Sequence, residues 1–252
     1  RTPLTLIKSP REKVMDNQHI PQEAVSYLQT VEKNTGRFLN RANQLLDFRK
    51  TEMDGYRLNF VKTDIVKLVE EICIRFKDTA EERKLSFETH YYIKKKEVYI
   101  DKEACTKIIS NLLSNALKYA SSQIIISIDY LEGSEIIRLE VSNDGENIPR
   151  DIRSQIFEPF FRGEYSVHKT GTGLGLPLAR SLAEMHKGSL ELADNTPFTT
   201  FRLCLPINQP DSIKLSEDTI EENRDAVTYY QSKYEQDPNR PTILIVEDNE
   251  EM

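Results

Sequence analysis

The hydrophobic positions in the first part of the chain recur at the period of an α-helix. This period predicts one helix over residues 4–17 and, after a turn at 16–21, a longer helix over residues 22–53. The apolar seam of the longer helix steps alternately by three and four residues, through Leu28, Val31, Thr35, Phe38, Ala42 and Leu45. Because a hairpin of two helices cannot bury such a seam alone, we expect two copies to form a dimeric four-helix bundle. The alternative is that the seam packs on a second domain of the same chain.

After residue 55 the hydrophobic pattern changes to alternating strands and helices. The predicted strands are one around 58–60, two at 85–92 and 97–100, a hairpin over 124–141, and two at 189–193 and 198–205. The predicted helices follow the capping residues Asp64 and Asp101 and also cover 150–157 and 174–187. This order predicts an α+β fold whose second part is an α/β sandwich, with helices covering one mixed, mostly antiparallel sheet.

The character of the chain changes again near residue 208. Acidic residues outnumber basic ones up to residue 240 and apolar residues are sparse, which predicts a linker. A short apolar run then ends in Glu247 and Asp248, a pattern typical of a buried strand. The predicted segments are therefore 1–54, 55–207, 208–240 and 241–252. We expect the chain to be a fragment of a longer protein.

Composition narrows the classes of function. The net charge of -7 argues against a nucleic-acid-binding surface, because phosphate contacts need clustered Lys and Arg. Cys73, Cys105 and Cys204 lie in apolar runs without a Cys-x-x-Cys pair, so we expect buried free thiols in a reducing compartment. No apolar run reaches the roughly 18 residues that a membrane span requires.

One helix carries a polar face suited to a metal and phosphate. Asn111 and Asn115 share a face at i and i+4, and Lys118 lies one turn further, followed by Tyr119. A carboxamide oxygen is a neutral ligand suited to Mg²⁺, which takes few protein ligands when phosphates supply the rest. Lys118 would meet phosphate as a point charge, and Tyr119 offers a ring beside a base or ribose. Taken alone, such a polar pair also suits a solvated helix face.

A carboxylate follows the second strand of the predicted hairpin. Asp144 precedes Gly145, which lets the backbone approach closely. A carboxylate at this place would accept a hydrogen bond from the exocyclic amine of adenine. The alternative is an ordinary turn, because Asp-Gly is a common turn dipeptide.

A glycine-rich loop opens the helix predicted at 174–187. Gly171, Gly173 and Gly175 leave backbone N–H groups able to meet phosphate, and the helix adds its positive N-terminal end. The spacing matches neither the P-loop nor the Rossmann pattern. The preceding segment has aromatic anchors at 157–161 and a polar stretch up to Lys169, which predicts a mobile lid.

Jointly, these pieces resemble sensor histidine kinases. Residues 111–119, 143–149, 157–162 and 171–176 resemble the asparagine, first glycine, phenylalanine and second glycine boxes, and 186–188 resemble the last such piece. Residues 1–7 resemble the end of the phosphoacceptor box, and 241–249 resemble the first strand and acidic pair of a receiver domain. The resemblance covers nearly the whole chain and implies a hybrid histidine kinase of a two-component system.

The resemblance implies an enzyme that transfers the γ-phosphate of ATP, with Mg²⁺, to a histidine and onward to a receiver aspartate. It implies that Asn111 and Asn115 hold the magnesium and that Glu247 and Asp248 are metal ligands of the receiver. It also implies that Thr2 and Asn111 act in catalysis, Thr2 by positioning a water for phosphatase action. The implied nucleotide-binding residues are Asn111, Asn115, Lys118, Tyr119, Asp144, Gly145, Phe157, Arg162, Gly171, Thr172, Gly173, Leu174 and Gly175.

The implied partners are a second copy, through the helical hairpin, and a receiver domain of the same polypeptide, with no nucleic acid. Membrane contact is expected only through other segments, so the fragment would be the cytoplasmic portion of a bacterial inner-membrane sensor. Two rivals are open. One is another ATPase of the same superfamily with a glutamate base on the asparagine helix, although Ser110, Asn111 and Ser114 occupy that face. The other is a degenerate nucleotide-binding dimeric scaffold.

The chain departs from the family pattern at three places. The phosphoacceptor histidine is expected about three positions before Arg1, so we expect ATP binding without autophosphorylation; His19, His90, His168 and His186 are expected to be structural or solvent-facing. Asn147 stands where the first glycine box often has a second glycine, which predicts a stiffer loop. The receiver segment stops before its phosphoacceptor aspartate.

Overall fold

The computed structural model describes residues 22–52, 56–131, 133–162, 171–194 and 197–209. Its helices are α1 (Gln22–Glu52), α2 (Ile65–Glu82), α3 (Lys102–Tyr119) and α4 (Gly175–Met185). Its strands are β1 (Val61–Asp64), β2 (Ser86–Tyr91), β3 (Glu97–Ile100), β4 (Gln123–Leu131), β5 (Ile136–Asn143), β6 (Ser189–Leu192) and β7 (Thr199–Pro206). The predicted helix at 4–17, the linker beyond residue 209 and the strand at 241–249 lie outside the described residues.

Five strands form the central sheet in the order β2-β4-β5-β7-β6. Only the β2–β4 pair is parallel; the β4–β5 hairpin and the β5–β7 and β6–β7 pairs are antiparallel. The prediction of a mixed, mostly antiparallel sheet is confirmed. Strands β1 and β3 form a separate antiparallel ribbon.

The helices α2, α3 and α4 bury apolar faces in one common core. Along β5 every second residue is buried, which is the pattern of a strand with one face on a core. Both predicted caps are present: Asp64 accepts from the Val66 N–H at 3.2 Å, and Asp101 accepts from the Ala104 N–H at 2.9 Å. These caps fix where α2 and α3 begin, and the start of α3 decides which of its side chains point away from the core.

Two predicted elements differ in the structure. The strand expected around 58–60 begins only at Val61, because its partner β3 ends at Ile100, opposite Val61. The Asn59 N–H donates instead to the Asp101 carboxylate at 2.8 Å. The helix expected over 150–157 is two 3₁₀ turns, Arg150–Ile152 and Gln155–Phe157. Short 3₁₀ turns of this kind serve as connectors, and here they carry the chain from β5 towards the glycine-rich loop.

Helix α1 packs on the rest of the fold through its C-terminal part. Phe48 is buried there, and the Asp47 carboxylate lies 3.0 Å from the Lys107 ammonium of α3. Towards the N-terminus of α1 from Phe48, the apolar residues Tyr27, Phe38 and Leu46 are 65%, 65% and 59% exposed. The alternative that this helix packs on its own chain therefore holds near Phe48, while dimerisation through the remaining apolar positions stays a prediction. None of the described helices is long and apolar enough to cross a membrane.

Candidate functional site

A cavity of about 1190 Å³ opens between α3, the loop after β5 and the glycine-rich segment before α4. Among the predicted site residues, it is lined by Asn111, Asn115, Lys118, Tyr119, Arg162, Gly171, Thr172, Gly173 and Gly175. These residues come from three separate stretches of sequence. The structure therefore brings most of the predicted constellation together in one hollow.

Helix α3 supplies the polar wall of the cavity. Its other face carries Ile108, Leu112 and Leu113, which have no exposed surface and fix the rotation of the helix. Asn111, Asn115 and Lys118 consequently lie on the cavity side. Lys118 Nζ lies 4.6 Å from the centre of the Tyr119 ring. This wall offers two carboxamides and one ammonium group to a ligand.

The glycine-rich loop lies against that wall at close range. A Cβ added at Gly171 would lie 3.0 Å from Lys118 Nζ, and one added at Gly175 would lie 3.0 Å from Asn111 Oδ1. Gly173 has a φ of +72°, and an added Cβ would lie 2.7 Å from backbone carbon of Phe160. At Gly173 the positive φ and the backbone of Phe160 require glycine, whereas a Cβ at Gly171 or Gly175 would crowd side chains of α3.

Asp144 lies outside the cavity lining, and this geometry does not support its predicted contact with a base. Its Oδ1 accepts from the Ser121 and Gln123 N–H groups, both at 2.9 Å, and its Oδ2 accepts from the Ser122 hydroxyl at 2.6 Å. Desolvation opposes ionisation, but the hydrogen bonds, led by Ser122, outweigh it and hold the pKa of Asp144 well below its usual range. The carboxylate thus fastens the turn between α3 and β4, because its acceptor sites are directed into that turn.

The residue before Asp144, at the end of β5, belongs to the cavity lining. Asn143 lines the cavity and is 3% exposed. Within the described part of the chain, its Nδ2 has no hydrogen-bond partner. A signal for Asn143 was present in the sequence, since it continues the alternation of Ile137, Leu139 and Val141 on the buried side of β5.

Gly145 joins the second piece of the site to the first. A Cβ added there would lie 2.1 Å from the Tyr119 carbonyl oxygen and 2.9 Å from Asn143 Nδ2. The loop after β5 therefore touches the end of α3 through bare backbone. Gly145 does not line the cavity, but it sets the distance between two of the segments that do.

Two further predicted site residues pack next to the cavity without lining it. Phe157 packs edge-on against Phe201 with ring centres 6.3 Å apart, and the Arg180 guanidinium lies 4.9 Å from the Phe157 ring. Leu174 is buried in the core. Thr2, residues 163–170 of the predicted lid region, Glu247 and Asp248 lie outside the described residues.

The sequence did not single out the apolar wall of the cavity. This wall comes from the end of α3, the loop and 3₁₀ turns after β5, and β7: Leu117, Ala120, Ile148, Pro149, Ile152, Ile156 and Phe201. A flat, largely apolar ring system could pack on such a surface. Gln44 of α1 also reaches the cavity and accepts a hydrogen bond from the Thr172 hydroxyl at 3.0 Å.

The buried histidine at the end of α4 is structural, as predicted. His186 Nδ1 lies 2.7 Å from the Leu182 carbonyl and so carries the proton, while Nε2 accepts from the Asp101 N–H at 3.2 Å. Burial lowers the pKa of His186, and the hydrogen bond to Leu182 only partly opposes this. His90, on β2, faces solvent near Glu88. The three cysteines carry free thiols, and burial raises the pKa of Cys73 to about 11.

Comparison with known proteins finds similarity to histidine kinases both in a family model and in individual relatives. Residues 100–209 match the family model described as histidine kinase-, DNA gyrase B-, and HSP90-like ATPase. Histidine kinase P4 of Formosa agariphila is 28% identical over 274 aligned residues, which cover 99% of this chain and 20% of that protein. The chain therefore spans about a fifth of the length of that relative.

Two solved structures share the fold. Full-length ShkA in complex with AMPPNP superposes with a TM-score of 0.73 at 20% identity, over 83% of this chain and 44% of that one. The histidine kinase ThkA in complex with the response regulator TrrA gives a TM-score of 0.58 at 19% identity, over 82% and 58%. The matching family model and the relative both make this chain similar to histidine kinases, and the two solved structures share its fold.

Proposed function

We propose that the cavity binds ATP and that the chain is the core of an ATP-dependent protein-histidine kinase of a two-component system. The observation that carries this proposal is the meeting of α3 with the glycine-rich loop, where Lys118 Nζ lies 3.0 Å from the position of a Cβ on Gly171. A cation beside bare backbone at the start of a helix is an arrangement suited to a polyphosphate. The domain in 55–207 would hold the nucleotide, and the segment 1–54 would belong to the helical hairpin whose phosphoacceptor histidine is expected just before Arg1.

Magnesium fits the donors on the polar wall. No group of three or more His, Cys, Asp or Glu side chains in the described ranges could hold a metal by itself. Asn111 and Asn115 instead offer neutral oxygens from one helix face, which suits a Mg²⁺ ion that takes its other ligands from phosphates and water. When bound, the ion would neutralise charge on the triphosphate.

Catalysis at such a site would consist of positioning and charge neutralisation. The bond from the γ-phosphorus to the oxygen of the β-phosphate breaks, a P–N bond forms on the histidine ring, and the ring proton passes to a base. Lys118 and the loop amides would orient the phosphates for this transfer. Within α3, Glu103 is the only acidic residue, and it is exposed and paired with Lys107 at 2.9 Å. This helix therefore offers no glutamate base to activate water, which favours a kinase over a hydrolase of the same superfamily.

The proposed partners follow from the exposed surface and from the relatives. Apolar side chains on α1, including Tyr27, Val31 and Phe38, are exposed, which supports a homodimer through the helical hairpin. A response-regulator receiver domain is the proposed acceptor of the phosphoryl group, because the related ThkA forms a complex with a response regulator. Residues 241–252 would begin a receiver domain of the same polypeptide.

Titration calorimetry with Mg-ATP tests the proposal. We expect saturable binding that Asn115→Ala weakens by about tenfold or more, because the substitution removes a metal ligand. Asn208→Ala serves as the matched control, since Asn208 is exposed and does not line the cavity. Absence of binding in the unsubstituted chain, or equal binding by Asn115→Ala, would overturn the proposal.

A further inference from the structure

The side chain of Asn143 differs from the other polar groups around the cavity. It is 97% shielded from solvent by the fold, as its 3% exposure shows, and it belongs to the cavity wall. Its Nδ2 finds no hydrogen-bond acceptor anywhere in the described ranges. A buried donor without a partner costs about 1–3 kcal/mol, so native proteins rarely keep one without a reason. The carboxamide of Asn143 is therefore held by no bond at Nδ2 and is able to turn towards a ligand in the cavity.

The neighbouring side chain of Asp144, in contrast, has hydrogen-bond partners for both of its carboxylate oxygens. Asp144 accepts from the backbone N–H groups of Ser121, Ser122 and Gln123 and from the Ser122 hydroxyl. Turning it towards the cavity would break all of these bonds. A 180° rotation of the Asn143 carboxamide exchanges the positions of its oxygen and nitrogen, and this rotation breaks no hydrogen bond at Nδ2. Of these two adjacent residues, only Asn143 is therefore able to adapt to a ligand.

We propose that Asn143 recognises position 6 of the nucleobase, either as a hydrogen-bond acceptor or as a hydrogen-bond donor. The proposal rests on the proposed function, because it assigns a base to the same cavity. With adenine, the carboxamide oxygen accepts from the amine at position 6. With hypoxanthine or guanine, the carboxamide nitrogen donates to the oxygen at position 6. The site thus takes purine nucleoside triphosphates with weak discrimination at that position, because a carboxamide carries both a donor and an acceptor.

A carboxylate at the same position would behave differently. It is an acceptor only, so it would favour the amine of adenine and repel the oxygen of hypoxanthine. A ligand site that hydrogen-bonds one group and leaves the alternative group unpaired discriminates strongly between the two. The identity of residue 143 is therefore expected to set the preference between the two bases, while residue 144 is expected to have no effect on it.

Calorimetric titration of the chain with Mg-ATP and Mg-ITP tests the inference. Inosine has an oxygen at position 6 and lacks the 2-amino group of guanine, so the comparison isolates one edge of the base. We expect the ratio of the two dissociation constants to lie within about threefold of unity in the unsubstituted chain. Asn143→Asp is expected to raise the ratio of Kd for ITP to Kd for ATP by at least tenfold, or about 1.4 kcal/mol. Asp144→Asn is the control and is expected to leave the ratio unchanged.

A second variant keeps the test decisive if Asn143→Asp fails to fold. Asn143→Ala removes the unpaired donor and is expected to weaken both nucleotides by a similar factor of at least five, with a ratio still near unity. A ratio that Asn143→Asp changes by less than tenfold, or affinities that Asn143→Ala leaves within fivefold of the starting values, would overturn the inference. ATP binding that depends on Asn115 but not on Asn143 would refute this inference alone, whereas binding of neither nucleotide would refute the proposed function itself.

Discussion

Replacing Gly145 by alanine tests the contact that joins two pieces of the cavity wall. The added Cβ would lie 2.1 Å from the Tyr119 carbonyl oxygen and 2.9 Å from the Tyr119 carbonyl carbon. Carbon and oxygen need roughly 3.2 Å or more, so the loop after β5 or the end of α3 must shift by about 1 Å. Overpacking that forces backbone shifts costs about 1–3 kcal/mol, and both atoms here are backbone. We expect a loss near the upper end, about 2–3 kcal/mol.

Thermal unfolding followed by circular dichroism measures this loss. A destabilisation of about 2–3 kcal/mol corresponds to a drop in Tm of roughly 5–10 °C for a protein of this size. The same shift separates Asn143 from α3, so the affinity for Mg-ATP should fall by about tenfold. Gly36→Ala is the matched control, because an added Cβ there has nothing within 4 Å and alanine favours a helix. A Gly145→Ala variant that melts within about 2 °C of the unsubstituted chain and binds Mg-ATP equally well would refute the close contact.

Two further predictions concern the docking of α1 and the buried histidine. Phe48→Ala removes a buried ring between α1 and the rest of the fold, so it should raise amide hydrogen exchange along the C-terminal half of α1. Leu46→Ala is the control, because Leu46 is 59% exposed and its loss should change the exchange little. Equal exchange in the two variants would contradict the docking of α1. Because burial lowers the pKa of His186, its contribution to the unfolding free energy is full above the unfolded pKa of about 6.5 and is lost as the pH falls towards the folded value. His186→Gln should flatten the stability profile between about pH 7 and pH 5, and the exposed His90→Gln should not; an unchanged profile in His186→Gln would contradict the neutral buried ring.

The polar wall of the cavity was predictable because helical spacing is a local property. Asn111 and Asn115 are four residues apart on α3, so they share one face of the helix, and both line the cavity. The glycine-rich loop was predictable for a similar reason, since Gly171 and Gly173 lie within one short stretch. In both cases residues close in sequence carry the signal.

The sequence placed Asp144 rather than Asn143 in the cavity wall because residue type was weighed above strand alternation. The carboxylate of Asp144 suggested binding chemistry, but the period of two along β5 directs Asn143 to the buried side and leaves Asp144 for the Ser122 turn. The apolar wall was not predictable at all. Ile148 and Phe201 become neighbours of the cavity only through the order of strands in the sheet, and such long-range pairing leaves no local pattern.

The positions of the strand before α2 and of the turns after β5 also depend on distant partners. The segment at 58–60 has suitable alternation, but β3 is too short to pair with it. The residues at 150–157 lie between two prolines, Pro149 and Pro159, and form only 3₁₀ turns. In each case the sequence identifies the kind of backbone and the tertiary context decides its extent.

A crystal structure of the chain with Mg²⁺ and a non-hydrolysable ATP analogue tests the central claim most directly. We expect the triphosphate between Asn115, Lys118 and the loop at Gly171, with the base against Asn143 and the apolar wall. A nucleotide bound elsewhere on the fold, or one whose phosphates lie away from α3, would contradict the claim that these separate segments form one nucleotide site.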